Sequence, residues 1–156
     1  MLKIGKLTDY GVVVLNELAQ AGAVKLSTDD ITGLTGLALP TVRKVMKALV
    51  DSGLVIAQRG ARGGYRLARA PGQIRMLDVV QAFEGPVALT ECAADDHQCD
   101  ITASCSLSAN WGGINQLITQ VLARVTLQDI RNPERQEQLV RDALPLTSFI
   151  ELVNLS

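Results

Sequence analysis

Three cysteines, the whole complement of the chain, fall within one short stretch: Glu91-Cys92-Ala-Ala-Asp-Asp-His97-Gln-Cys99-Asp-Ile-Thr-Ala-Ser-Cys105-Ser-Leu-Ser108. Their neighbours are acidic or small, with no helical or alternating apolar period, so the stretch reads as a loop and packing does not explain the thiols. Spacings of six and five residues let a curled loop bring Cys92, Cys99 and Cys105 to one metal site. Soft thiolates select zinc or an iron-sulfur cluster over hard cations. Both usually take four ligands, so another residue, a partner chain or solvent must supply a fourth donor. The competing reading is a disulfide with one spare thiol, or three unrelated cysteines. A thiol enzyme is disfavoured, because the only histidine, His97, lies in the same stretch and no oxyanion or phosphate-cradling motif accompanies it.

A chain of 156 residues suits one domain with an appended helical arm. Only 3% of it is aromatic, so the core must be aliphatic, which favours helix packing over a β-sandwich. No run reaches the length of a membrane span and the start lacks the apolar segment of a secretory signal, so a cytoplasmic protein is expected. In that reducing compartment clustered cysteines bind metal more often than they pair.

The net charge of -1 conceals two opposed halves. Met1 to Arg75 holds eleven Lys and Arg against five acids, whereas Met76 to Ser156 holds four against eleven. Arg43, Lys44, Lys47, Arg59, Arg62, Arg66, Arg69 and Arg75 crowd one region with Asp51 as its only acid, a footprint for a polyanion. Thr8 or Asp9 is placed to cap a first helix, and Ser27 or Thr28 a second that stops at Gly36. Pro40 then opens a third helix, Thr41 to Ser52, with Val42, Val45, Met46, Leu49 and Val50 on one face. Its other face shows Thr41, Arg43, Lys44 and Lys47, which is what a helix-turn-helix presents to a major groove. Leu54 to Gln58 and Tyr65 to Ala68 read as a hairpin with the tip Arg59-Gly-Ala-Arg62-Gly-Gly. A hairpin there is a wing, and its arginines suit a narrow minor groove.

Met76 to Phe83 forms a fourth helix. Beyond the cysteines, Trp111 precedes a stripe of Ile114, Leu117, Ile118, Val121, Leu122 and Val125. Little upstream remains to cover such a stripe, so the same helix of a second chain is the economical partner. The expected division is a winged helix-turn-helix domain at 1–85, a cysteine loop at 86–108, a dimerisation helix at 109–130 and a tail at 131–156. The tail reads as a short helix and a strand docked on the body or on a partner. The fold class is therefore mostly α, with a two-stranded wing and one long helix.

Leu7-Thr-Asp-Tyr10, the Leu39-to-Leu49 helix, Gly53-Leu-Val, Arg59-Gly-Ala-Arg-Gly-Gly-Tyr65, the three cysteines and Trp111 together resemble the winged helix-turn-helix iron-sulfur regulators of the IscR and NsrR type, the Rrf-two family. The resemblance spans Leu7 to Ile130. It implies a homodimeric regulator of a double-stranded operator, with Thr41, Arg43 and Lys44 reading bases, Lys47 and Arg62 adding charge, and Arg59 in the minor groove. It implies an iron-sulfur cluster, 2Fe-2S or 4Fe-4S, on Cys92, Cys99 and Cys105, and control of cluster-assembly genes. The assembly branch has a histidine where Ser108 stands, and serine is a poor iron ligand. The nitric-oxide-sensing branch uses an aspartate that Asp9 matches, and His97 is the rival fourth ligand. A repressor sensing nitric oxide or redox stress, and a zinc-binding structural DNA-binding protein, are the alternative readings.

Overall fold

Val14, Leu15 and Leu18 recur at helical spacing in the first helix, α1 (Lys6–Ala21), and all three are buried at the centre of the core. The computed structural model describes residues 4–60, 62–89 and 108–143. After α1 come α2 (Thr28–Thr35), α3 (Leu39–Asp51), strands β1 (Val55–Gln58) and β2 (Gly64–Leu67), and a 3-10 turn at Pro71–Gln73. Helices α4 (Met76–Glu84), α5 (Ser108–Arg124), α6 (Leu127–Ile130) and α7 (Pro133–Ala143) follow. The fold is mostly helical, with one two-stranded antiparallel sheet among the described residues. None of its described helices is long and apolar enough to cross a membrane.

The expected cap at Thr8 or Asp9 is not what starts α1. The helix begins at Lys6, with Gly5 at the cap position and no capping side chain. Thr8 is buried, and its hydroxyl donates to Glu84 Oε1 at the end of α4; the Gly5 amide donates to the same oxygen at 3.0 Å. A carboxylate from another helix thus satisfies donors at the α1 N-terminus and places negative charge at the positive end of its dipole. The Asp9 side chain is left exposed in the first turn, with no hydrogen bond or ion pair from its carboxylate to a described residue.

α2 has the anticipated start. Ser27 accepts from the Asp30 amide at 3.1 Å, and the Asp30 carboxylate accepts from the Ser27 amide and hydroxyl at 2.8 and 2.7 Å. The Ser27 hydroxyl and then its amide hold the Asp30 carboxyl below the usual carboxylate range. Gly36, at φ 69, ends α2 in the left-handed conformation. α3 begins at Leu39, two residues before the expected start, because Pro40 fits the first turn, where no amide is needed. Val42, Val45, Met46 and Leu49 are buried against the α1 residues and Ile31, and Val50 is half-buried.

The sharpest departure lies after α5. The long helix expected to reach residue 130 stops at Arg124, and Val125 and Thr126 pair with the segment before α4 instead. The Met76 amide donates to the Val125 carbonyl and the Leu127 amide to the Ile74 carbonyl, each at 2.8 Å. Thr126 and Asp129 form a capping box for α6, and Leu127 is fully buried in the helix-turn-helix core. Arg131 Nε donates to Asn16 Oδ1 on α1 at 3.0 Å. Burial alone would raise the Asp129 carboxyl; the Thr126 hydroxyl and amide and the Arg135 guanidinium outweigh it and hold it below its usual range. The tail then contains α7, and the strand suggested after it lies outside the described residues.

α1 and α4 meet through a glycine. A Cβ at Gly11 would stand 2.3 Å from Phe83 Cε2. Gly11→Ala gains about 1 kcal/mol of helix propensity. Overpacking costs about 1 to 3 kcal/mol, so the net effect is destabilising. Thermal unfolding of Gly11→Ala should show a lower midpoint than wild type; a raised midpoint would mean that Phe83 swings aside freely.

Candidate nucleic-acid interface

The amphipathicity of α3 fixes which of its side chains face water. With Val42, Val45, Met46 and Leu49 in the core, Arg43, Lys44 and Lys47 are all exposed and Thr41 is half-buried at the start of the helix. Lys47 is engaged by Asp51, Nζ to Oδ2 at 2.5 Å, in an i,i+4 pair exposed on both sides. Such a pair is worth roughly 0.3 to 0.5 kcal/mol, so it restrains Lys47 only weakly against a competing phosphate. Arg43 and Lys44 carry no ion pair to a described residue.

The wing follows α3 in the chain and has a firm base. β1 and β2 pair from Val55 opposite Leu67 to Gln58 opposite Gly64, and Leu26 adds a short third rung to Tyr65 with bonds of 3.0 and 2.8 Å. The tip is built on glycine geometry. Gly60 has φ 108, the Gly63 amide donates to the Gly60 carbonyl at 2.8 Å, and a Cβ at Gly63 would lie 2.4 Å from the Gln58 carbonyl oxygen. No side chain fits there, so the tip stays thin and leaves Arg59 and Arg62 exposed at its two sides.

The basic footprint divides once the fold is known. Asp78, at the start of α4, takes Arg75 at 2.8 Å and Arg69 at 3.8 Å, so one carboxylate offsets part of these two exposed charges. The Asp78 hydrogen bond, and then its charge, raise the Arg75 guanidinium further above its ordinary range. Sequence reasoning also missed a cation. Lys25, from the α1–α2 connection, reaches the Arg62 carbonyl at 3.5 Å and so belongs to the wing. Nothing in a lone lysine before Leu26 signals this, because the Leu26–Tyr65 bridge that brings it there is a tertiary pairing. Arg66 is the one exposed residue of β2, as strand alternation allows.

Cys92, Cys99, Cys105 and His97 lie outside the described residues. Among the described residues no group of three His, Cys, Asp or Glu side chains gathers as a metal site. Of the candidate ligands only Asp9 is described, on the exposed face of α1 and not engaged as a cap. The apolar stripe of α5 divides as well. Leu122 and Val125 pack against the core, whereas Trp111, Ile114, Leu117 and Val121 remain 41 to 61% exposed.

Comparison with known proteins agrees with this architecture. Residues 4–133 match the family described as Rrf2, iron-dependent transcriptional regulator. The protein rrf2 of Nitratidesulfovibrio vulgaris is 29% identical over 130 residues, which are 83% of this chain and 87% of that protein. CymR, the global cysteine regulator of B. subtilis, superposes with a TM-score of 0.66 at 28% identity, covering 83% of this chain and 96% of that one. IscR of T. potens superposes with a TM-score of 0.63 at 30% identity, covering 88% and 91%. The winged helix, its basic face and a family match over most of the sequence lead to one conclusion: this chain belongs to the Rrf2 family of winged-helix, DNA-binding transcriptional regulators, and its function is regulatory rather than enzymatic.

Proposed function

We propose that this chain acts as a homodimer on a double-stranded DNA operator, with its affinity set by an iron-sulfur cluster held through Cys92, Cys99 and Cys105. The observation that carries the DNA part is the exposure of Arg43 and Lys44 on α3 together with that of Arg59 and Arg62 on the wing tip. A helix of that kind fits a major groove with its first turns toward the base edges, so Thr41, Arg43 and Lys44 read bases and Lys47 exchanges Asp51 for a phosphate. Arg59 enters the adjacent minor groove, while Arg62 and Lys25 neutralise backbone phosphates. The exposed face of Trp111, Ile114, Leu117 and Val121 supplies an apolar seam for a second copy, which sets two α3 helices on successive major grooves.

The chemistry of the donor set suits iron and sulfide: three thiolates in one short stretch, with Asp9 exposed and free of capping duty. When bound, such a cluster supplies iron-thiolate bonds that oxidants and nitric oxide attack. The regulated genes in this reading are those for cluster assembly. A repressor sensing nitric oxide or redox stress is the second reading, and the unengaged Asp9 carboxylate favours it. His97 is the other donor for the fourth position.

Replacing Arg43 by alanine should cost about 1 to 3 kcal/mol of operator binding and relax preference at one base pair. Arg59→Ala should lose most affinity on operators with a narrow, A·T-rich minor groove. Equilibrium titrations at fixed salt test both, and unchanged dissociation constants for the pair would take this surface out of the interface. Gly63→Ala should weaken operator binding several-fold while the melting midpoint moves little, because only the wing tip is displaced. If the tip is not used, binding will not change.

Anaerobically purified wild type should be brown and contain both iron and sulfide, and each single Cys→Ala variant should lose the visible absorbance. A colourless protein containing zinc would replace the cluster by the structural-metal alternative. Asp9→Ala should leave a labile cluster and His97→Ala a stable one; the reverse pattern would move the fourth ligand to His97.

A further inference from the structure

From the end of α4 toward the first cysteine, the chain is held at two places by contacts with other parts of the fold. At one end, Glu84 accepts from the Gly5 amide and the Thr8 hydroxyl, which joins the end of α4 to the start of α1. At the other, Asn115 of α5 holds two backbone groups at once. Its Nδ2 donates to the Val87 carbonyl and its Oδ1 accepts from the Leu89 amide, both at 3.1 Å. The side-chain amide therefore acts as one rung of a sheet, fixing the register and orientation of residues 87–89 rather than merely covering them.

Position matters as much as bonding. Asn115 is half-buried and follows Ile114 on the helix whose Trp111, Ile114, Leu117 and Val121 are exposed. An apolar side chain would fill that place without fixing a register. Leu89 is three residues before Cys92, and three residues reach at most about 11 Å. A displacement of Cys92 beyond that span must therefore move Leu89. From there it has two physical routes: into α5 through Asn115, and along the connector to the Glu84 contacts with α1.

We propose that Asn115 is a positioning residue that couples the cysteine-bearing stretch to the helix-turn-helix core by holding the 84–89 connector. This rests on the iron-sulfur reading above. Reciprocal linkage then requires that loading and operator binding favour the same arrangement of the connector if the cluster promotes DNA binding, and opposite arrangements if it opposes it.

The test uses full-length protein without oxygen, loaded or stripped by chelation, as wild type, Asn115→Ala and Asn115→Asp. In wild type the operator dissociation constants of the two forms should differ by about 5- to 150-fold, the usual range of such coupling. In Asn115→Ala that ratio should fall toward one while iron content and absorbance stay at wild-type levels. A purely structural role would weaken both forms by the same factor and leave the ratio intact. Amide hydrogen exchange supplies a second readout: the Leu89 amide should differ in protection between loaded and stripped wild type, and lose protection in Asn115→Ala. Should that variant fail to show a melting transition, Asn115→Asp, equal in size but lacking the donor to Val87, carries the same comparison. A wild-type ratio in the folded variants, or identical exchange at Leu89 in both wild-type forms, overturns the coupling and leaves the regulator reading standing. A wild-type protein without iron and sulfide would instead remove the reading on which the coupling rests.

Discussion

Burial of the apolar side of α1 is the constraint on which the rest of the structure depends. Val14, Leu15 and Leu18 cannot be covered by one neighbour, and α2, α3, α4, β2 and α6 each contact the helix. Full burial of such a side chain is worth roughly 1.5 to 3 kcal/mol, so removing any covering element is costly. Because α1 touches so many partners, small residues are required where two of them crowd. Gly11 beneath Phe83 is such a place.

That crowded core also decides which charges are free to meet DNA. The apolar stripe of α3 points at α1, so its basic side has no choice but to face solvent. Asp78 lies at the first turn of α4, close enough to pair with Arg69 and Arg75 and offset part of their charge, although both stay exposed. What remains is concentrated on α3 and the wing. A local excess of cations on a protruding edge attracts a polyanion more effectively than the same charges spread over a domain.

The region after α5 is attached firmly to the helix-turn-helix core. Two backbone bonds to residues 74 and 76, a buried Leu127 and the Arg131–Asn16 contact join the end of α5 to the core. The middle of the same helix carries Asn115 and the exposed apolar residues. A helix secured at one end and joined near its centre to a chain connector is held as a stiff rod, since its own hydrogen bonds resist bending.

Much of this protein is legible in its amino acids. The periods of α1 and α3, the Ser27-to-Asp30 capping box, Gly36, Pro40 and the glycine-rich wing tip are local signals, and each produces its local structure here. The exposure of Arg43, Lys44, Lys47, Arg59 and Arg62 follows from the same periodicity and turn chemistry. Other features depend on partners remote in sequence. Thr8 looks like a cap until Glu84, 76 residues away, occupies the α1 N-terminus and buries it. Residues 125–130 look like more of α5, although Thr126 and Asp129 already carry a capping signal; the pairing with Ile74 and Met76 is what ends the helix there. Lys25 and Asn115 are ordinary surface residues in one dimension, and only the folded chain sets one beside the Arg62 carbonyl and the other between Val87 and Leu89. The amino-acid order determined the pieces and their faces, because those arise from interactions within a few residues. Tertiary structure decided which polar groups meet across the chain, because those contacts exist only once the core has closed.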